Sequence, residues 1–208
     1  HSIPAVKYRG DFFMTVAFVL GNGVSRSGLP LEHIQKLGKI YGCNALYREF
    51  TPDVLVATDR AISQRIQETG YPVKNKFYTR KPIEGLGAHR VPQEYYGYSS
   101  GPNAVGIAAI DQNTKIYIIG FDMGPSVHNQ FNNMYEGTEF YKPSGSAPTY
   151  TGNWVKQLTK ITKDFPKTQF IRVCGNTTAR LPALDNITNL THEDLSTFVM
   201  RINNQKDL

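Results

Sequence analysis

The stretch Val-Ala-Phe-Val-Leu-Gly-Asn-Gly-Val-Ser, residues 16–25, indicates the fold most directly. Its first half, residues 16–20, consists of β-branched, aromatic and other apolar side chains, which are typical of a strand buried on both faces. The second half opens with Gly21-Asn22-Gly23, a turn with little side-chain bulk. A buried strand that leads into such a turn predicts the first strand-to-helix unit of an α/β protein.

Similar apolar runs recur along the chain and alternate with segments of helical periodicity. The predicted strands are residues 16–20, 40–43, 54–57, 76–78, 116–120 and 170–174, and the predicted helices are residues 59–68, 102–111, 154–164 and 193–202. Most of these strands are apolar throughout, so helices should cover both faces of the sheet. The pattern therefore predicts one α/β domain with a mostly parallel sheet.

The composition fits a folded protein. The chain has 208 residues, 40% of them hydrophobic and 19% charged, which excludes a disordered chain and a bare coiled coil. Its two cysteines, Cys43 and Cys174, are far apart and each lies beside an apolar run, so we expect buried, reduced thiols and not a disulfide. Reduced thiols favour a cytoplasmic location. A secreted protein is the alternative, supported by sequons at Asn176, Asn186 and Asn189.

The formal net charge of +6 favours anionic partners in general. Basic residues are scattered, apart from a cluster that we interpret as a solvated face: Lys74, Lys76, Arg80 and Lys81. The sequence contains no helix-turn-helix, zinc-finger or RNP pattern, so no nucleic-acid partner is predicted.

No apolar run approaches the roughly 20 residues that a membrane span needs, so no membrane-spanning segment is predicted. Met14 can be the native start, in which case residues 1–13 are a leader or an expression remnant and residues 14–208 form the domain.

Residues 122–151 break the alternation of strands and helices. This segment of about 30 residues is rich in Gly, Pro, Asn, Ser and Tyr, and it far exceeds the usual ~4 to 6 residues of a connection. Because it carries many aromatic residues, we interpret it as a lid that folds over a ligand. A surface loop without function is the alternative.

Several polar turns fall at the carboxyl edge of the predicted sheet, where ligands bind open α/β sheets. The turn from Gly21 to Ser25 can bring backbone N–H groups close to a phosphate. Asn44 can bind a base or ribose edge or, equally, form an Asx turn. Asp59 can accept from a ribose hydroxyl, although capping of the following helix also explains it.

Ser99, Ser100 and Gly101 open a further predicted helix, where hydroxyl and N–H groups favour an anion. Serine capping is the alternative. These turns predict one nucleotide site that comprises Gly21, Asn22, Gly23, Ser25, Asn44, Asp59, Ser99, Ser100 and Gly101.

Four short motifs occur in a characteristic order: Gly-Asn-Gly-x-Ser, Cys-Asn, Ser-Gly at the start of a helix, and Ile-Tyr-Ile-Ile-Gly-Phe-Asp at residues 116–122. In order and spacing they resemble the bacterial CMP-sialic-acid-dependent sialyltransferases of the Campylobacter type and their uncharacterised nucleotide-binding relatives. The resemblance runs from about Val16 to Leu184. It implies a Rossmann-like fold with a mobile lid, a metal-independent site, and a nucleotide held by Asn22, Ser25, Asn44, Ser99, Ser100 and Gly101.

In that family a lid histidine acts as the base, and lid tyrosines steady the departing phosphate. The sequence departs from the family here, because Gly152-Asn153-Trp154 replaces Gly-His-Ser and Asn153 cannot take a proton. The family's arginine before Ser-Gly is also missing, with Gly97 nearest. His128 is the only histidine in the lid and is therefore the remaining candidate base. Tyr141 is the second candidate catalytic residue, and Tyr135 and Tyr150 are further lid residues.

The resemblance implies a glycosyltransferase-like protein that binds a nucleotide sugar, such as CMP-sialic acid, and transfers the sugar to an acceptor hydroxyl in one step. No metal and no cofactor are expected besides the nucleotide-sugar co-substrate. The alternative is a catalytically silent protein that sequesters or senses a nucleotide on the same scaffold. Whether the chain forms a homo-oligomer stays open.

Overall fold

The structure is a computed structural model, and it describes residues 6–8, 12–205 and 208. Residues 1–5 and 9–11 of the predicted leader lie outside the described residues. Strands β1 (Val6–Tyr8) and β2 (Phe12–Met14) pair with each other in antiparallel fashion and form a small sheet of their own.

The main sheet has eight strands, and every pairing in it is parallel. Its strands are β3 (Val16–Leu20), β4 (Lys39–Cys43), β5 (Val54–Val56), β6 (Phe77–Thr79), β7 (His89–Arg90), β8 (Lys115–Ile119), β9 (Gln169–Cys174) and β10 (Leu190–Asp194). In space they follow the order β10-β9-β8-β3-β4-β5-β6-β7. This is the order of a doubly wound, Rossmann-like sheet, which confirms the predicted fold class.

Helices cover both faces of the sheet. They are α1 (Leu31–Leu37), α2 (Arg60–Glu68), α3 (Tyr71–Lys74), α4 (Ser100–Ile110), α5 (Gly152–Asp164), α6 (Pro182–Asp185) and α7 (Leu195–Asn204). Residues of α4, α5 and α6 belong to one hydrophobic cluster, and residues of α1, α2 and α7 belong to the other. The all-apolar strands are therefore buried between two helical layers, as predicted.

The strand order reverses between β3 and β8. The chain runs outward from β3 to β7 and then returns through α4 to β8 on the other side of β3. A crevice forms at the carboxyl ends of two strands that diverge in this way. Gly21 and Gly120 follow these two strands, and a Cβ atom on Gly21 would lie 2.6 Å from the carbonyl oxygen of Gly120. The two backbones therefore touch at the base of the crevice.

All ten predicted elements are present, with bounds within two residues of the prediction. Strand β10 was not predicted, because its sequence Leu-Thr-His-Glu-Asp is polar, as is common at the edge of a sheet.

Residues 122–151, which we call the lid segment from here on, contain no helix or strand. Cys43 and Cys174 are buried and unpaired, as expected. Among the described residues no helix is long and apolar enough to cross a membrane.

Candidate functional site

The lid segment and the carboxyl edge of the sheet enclose a cavity of about 310 Å³, which we call the edge cavity. Its walls come from the turns after β3, β4 and β8, from Asp59 after β5, from the lid segment, and from Trp154 in α5. The ring of Trp154 packs edge-on against Phe121, with 5.1 Å between ring centroids. A volume of this size is at the small end of the range for ligand sites, roughly 300–1,000 Å³.

Three of the predicted polar turns meet beside this cavity. Ser100 Oγ donates to Asn44 Oδ1 at 3.1 Å, and Asn22 Nδ2 donates to the carbonyl oxygen of Cys43 at 3.0 Å. These bonds join the turn after β3, the end of β4 and the start of α4. Asn22, Gly23 and Asn44 also line the edge cavity. Residues far apart in the sequence thus form one site at the point where the strand order reverses.

The Ser100 hydroxyl has its hydrogen-bonding capacity fully used inside the protein. It donates its only proton to Asn44, and it accepts from the N–H of Thr58 at 2.9 Å. The hydroxyl of Thr58 lies 3.0 Å away and must be the donor to Ser100, because the Ser100 proton is already engaged. Ser100 therefore orients Asn44 and has no remaining bond for a ligand.

Asn44 has an NH2 group that is free of partners among the described residues. Its Oδ1 is held by Ser100, and no described residue accepts from its NH2 group, which leaves two N–H donors at the edge cavity. The backbone of Asn44 has a φ of 54°, in the left-handed region that asparagine tolerates better than most residues. Such conformations are concentrated at ligand-binding sites.

The glycine-rich turn after β3 binds a carboxylate of the protein itself. Asp122 is 3% exposed, and its carboxylate accepts five hydrogen bonds from four residues: Ser25 N and Oγ, Asn132 Nδ2, Thr177 Oγ1 and Thr178 Oγ1. The N–H of Gly23 donates to Gly120, and that of Val24 donates to Asn132. The donors expected to approach a phosphate are thus engaged internally.

Arg26 fixes the lid segment to this turn. Its side chain is 2% exposed and donates to the Gly21 carbonyl at 2.7 Å, to Asn22 Oδ1 at 2.9 Å and to the Tyr135 hydroxyl at 3.3 Å. Tyr135 in turn donates to Glu49 Oε1 at 2.5 Å. Burial raises the pKa of Tyr135 to about 12, so it stays a neutral donor. Tyr135 is therefore an anchor of the lid segment and not a residue of the cavity wall.

Tyr141 lies in the wall of the edge cavity. Its hydroxyl oxygen accepts from the N–H of Ala45 at 3.2 Å, which leaves the hydroxyl proton available to a ligand. Burial raises the pKa of Tyr141 well above its ordinary value, so this proton is retained at neutral pH. Tyr150 also lines the cavity and is 76% exposed. Two of the three predicted lid tyrosines are thus at the cavity.

His128 is not where the candidate base was expected. It is exposed on a turn of the lid segment and does not belong to the residues that line the edge cavity. His128 was the candidate base because it is the only histidine in the segment. That fact does not indicate whether its side chain faces the cavity, since an irregular segment has no periodicity that would fix this. Asn153 is likewise exposed and absent from the wall, whereas Trp154 next to it belongs to the wall.

Asp59 and Ser99 occupy the N-cap positions of α2 and α4, as the capping alternatives require. Neither side chain makes a capping hydrogen bond, however. The N–H of Ser99 donates to Gln157.

Gly101 lies under Trp154, whose ring would be 2.6 Å from a Cβ atom at this position. Asp59 is exposed and lines both the edge cavity and a neighbouring, larger one of about 520 Å³.

Sequence reasoning assigned no role to Asp122 or Arg26, two charged residues that organise the site. Asp122 is the last residue of the Ile-Tyr-Ile-Ile-Gly-Phe-Asp motif. An acidic residue at the carboxyl end of a predicted strand was the sequence feature that could have indicated its role. Arg26 directly follows the glycine-rich turn and belongs to none of the motifs described above. Neither role could be inferred without knowing that β8 lies beside β3.

Comparison with known proteins adds no assignment: no family model matches the chain, and no curated protein or solved structure is significantly similar to it. The resemblance to sialyltransferases therefore stays a prediction.

Proposed function

We propose that the protein binds a nucleotide or a nucleotide sugar in the edge cavity. The observation that carries this proposal is the meeting of Asn22, Gly23 and Asn44 at the carboxyl edge, under an aromatic lid segment, at the point where the strand order reverses. Doubly wound sheets bind their ligands in this crevice.

The chemistry of the cavity wall suits a nucleotide. The NH2 group of Asn44 and the hydroxyl of Tyr141 are donors that can hydrogen-bond a base or ribose. Trp154 adds an aromatic ring to the wall, and Phe131 adds a second, over which Lys142 Nζ lies 5.4 Å from the ring centroid. Lys142 is the cation of the wall, and its Nζ lies 3.2 Å from Thr149 Oγ1. Because Asp122 engages the glycine-rich turn, we assign the phosphate to Lys142 and not to that turn.

A second candidate function is transfer of the sugar, and the position of Asp59 favours it. This carboxylate lies between the two cavities and makes no capping bond, so it can accept a proton from an acceptor hydroxyl. The acceptor oxygen would form the new bond to the anomeric carbon as the bond to the nucleotide phosphate breaks, and the phosphate would leave with the bonding electrons. His128, exposed outside the cavity, is replaced by Asp59 in this mechanism.

Calorimetry with CMP, UMP, AMP and NAD tests nucleotide binding. We expect one nucleotide to bind, and Asn44→Ala to weaken its binding at least tenfold by removing the NH2 donors. The matched control is Asn203→Ala, which changes an exposed asparagine of α7. Absence of binding by every nucleotide, or equal losses in both variants, would overturn the proposal.

Release of CMP from CMP-sialic acid tests transfer separately. If the protein is a transferase, Asp59→Asn abolishes release and leaves nucleotide affinity unchanged, whereas His128→Ala changes neither. Binding without release by the wild-type protein would leave the silent nucleotide-binding function standing and remove the transferase.

A further inference from the structure

We propose that the larger cavity beside Asp59 is a second binding site, which takes a small phosphorylated molecule that also carries hydroxyl groups. We call it the basic cavity. It has a volume of about 520 Å³ and lies between the ends of β5 and β6 and helix α2. This inference does not depend on nucleotide binding, since the two cavities share only Asp59 among their lining residues.

Charge is the first observation. Arg60, Arg80 and Lys81 line the basic cavity, and Asp59 is its one acidic residue. Among the described residues no carboxylate pairs with any of the three cations. Two of them belong to the basic cluster that the sequence suggested was a solvated face. Three cations around one concave space attract an anion more strongly than the same cations spread over a surface.

Arg80 is held in place without losing its charge. Its Nε donates to the carbonyl of Tyr96 and its Nη2 donates to the carbonyl of Tyr98, each at 2.8 Å. Carbonyl groups are neutral acceptors, so they fix the guanidinium group and leave its positive charge uncompensated. A guanidinium group that is ordered before the ligand arrives loses less conformational entropy on binding a phosphate.

The start of α2 adds to the positive potential. The first N–H groups of a helix have no partner within it and carry a partial positive charge. In α2 the N-cap residue Asp59 makes no side-chain capping bond, and the first turn contains no acidic residue. Helix N-termini, arginine and lysine are the groups with which proteins bind phosphate.

The floor of the basic cavity is polar and buried. Ser63, Gln67 and Thr79 line it, and all three are less than 5% exposed. Ser63 Oγ and Thr79 Oγ1 lie 2.5 Å apart, and Ser63 also accepts from Gln67 Nε2 at 3.1 Å. The two hydroxyls have two protons, of which their mutual bond uses one. No described residue accepts the other proton, so the floor retains one buried donor for a ligand.

These observations define the ligand. The three cations and the helix N-terminus select a phosphate, whereas the floor hydroxyls and Gln64 suit the hydroxyl groups of a sugar-sized body. A ligand without the anionic group leaves the cations uncompensated, and inorganic phosphate alone leaves the floor unoccupied. We therefore expect a sugar phosphate to bind more tightly than either part.

Calorimetry on the full chain with glucose 6-phosphate, inorganic phosphate, glucose and glucuronate tests this site. We expect glucose 6-phosphate to bind best and glucose not to bind. The double variant Arg60→Gln/Lys81→Gln should lower the affinity for glucose 6-phosphate at least tenfold. The matched control, Lys74→Gln/Lys163→Gln, removes the same net charge from exposed positions outside the cavity and should leave binding within twofold.

Four results would overturn the proposal: no binding of any phosphorylated probe at millimolar concentration, equal losses in the two double variants, tighter binding of glucuronate than of glucose 6-phosphate, or a loss of glucose 6-phosphate affinity in Asn44→Ala as large as that in Arg60→Gln/Lys81→Gln. The last result would place the anion in the edge cavity. If no nucleotide binds while glucose 6-phosphate does, the function proposed for the edge cavity fails and the second site stands.

Discussion

The turn after β3 and the basic cavity lie at the same edge of the sheet, and both bring donor groups together where a strand leads into a helix. In the turn, the donors of Gly23, Val24 and Ser25 are all engaged, and those of Ser25 serve Asp122. In the basic cavity, the cations of Arg60 and Lys81 face no carboxylate partner among the described residues. A glycine-rich turn therefore indicates a ligand site only if its donors are not already used by the protein.

The two regions should respond to mutation in opposite ways. Donors that are engaged internally contribute to the stability of the fold, so their loss lowers the free energy of unfolding. Donors without a protein partner contribute to ligand affinity, and their loss leaves the fold intact.

The largest effect is expected for Asp122→Ala. This change leaves Ser25, Thr177 and Thr178 without the acceptor that they share; the Thr178 group is buried and the other two are partly buried, and a donor left unsatisfied away from water costs about 1–3 kcal/mol. We expect the free energy of unfolding, measured by urea titration, to fall by about 3–5 kcal/mol. Asp122→Asn keeps one acceptor oxygen and should lose less. A loss below about 1 kcal/mol in Asp122→Ala would show that the carboxylate does not organise the turn.

The next effect is expected for Ser100→Ala, which removes the acceptor of the buried Thr58 N–H and the group that orients Asn44. We expect a loss of about 2 kcal/mol in the free energy of unfolding and a weaker nucleotide affinity. Ser99→Ala is the matched control, because Ser99 makes no side-chain capping bond. Thermal and urea unfolding of both variants measures the loss of stability, and calorimetry with the nucleotide measures the loss of affinity. Equal effects at the two positions would contradict the role of Ser100.

A third prediction concerns alkaline pH and Cys43, which lies beneath the turn with its Sγ 3.5 Å from the Leu20 carbonyl. Burial raises the pKa of this thiol from 9.0 to about 12. Between these two pH values the unfolded chain has lost the proton while the folded chain retains it, so the stability of the fold decreases as pH rises. From pH 9 to 10.5 the wild type should lose about 1.5 kcal/mol more than Cys43→Ala, measured by urea unfolding.

The pH slope separates this effect from packing. Cys43→Ala also removes buried volume, but that loss is the same at every pH. Buried tyrosines that do not interact with Cys43, such as Tyr95, whose pKa is raised by burial, lower the stability of both proteins equally at high pH. Identical pH slopes for the wild type and Cys43→Ala would mean that the thiol is accessible to solvent, and that the base of the crevice is open.

The sequence was sufficient for those features that depend on local pattern or on topology. The runs at 16–20 and 170–174 predicted buried strands because their side chains are apolar throughout. Asn22, Asn44 and Ser100 were expected together because parallel strands end at one edge of a sheet. That expectation needed only the order of strands and helices, and not any individual contact.

The roles of particular side chains were beyond such reasoning. Ser25 and Asp122 are 97 residues apart, and their bond exists because β8 pairs with β3. His128 was chosen by elimination, but an irregular segment of this length has no periodicity that fixes which residues face the cavity. Arg80 and Lys81 were interpreted as part of a solvated face, and Lys81 is indeed exposed, but only the fold shows that both residues line the cavity between β6 and α2.

The smallest effect on stability is expected for Arg60→Gln/Lys81→Gln in the absence of ligand. Both side chains are exposed and have no carboxylate partner among the described residues, so their removal breaks no ion pair and relieves repulsion with Arg80. The free energy of unfolding should stay within about 0.5 kcal/mol of the wild-type value. A loss of more than about 1 kcal/mol would mean that these cations stabilise the fold, as the donors of the turn do, and the contrast between the two regions would disappear. An unchanged stability together with lost affinity for glucose 6-phosphate is the result that only a ligand site explains, because groups that serve the fold cannot be removed without lowering its stability.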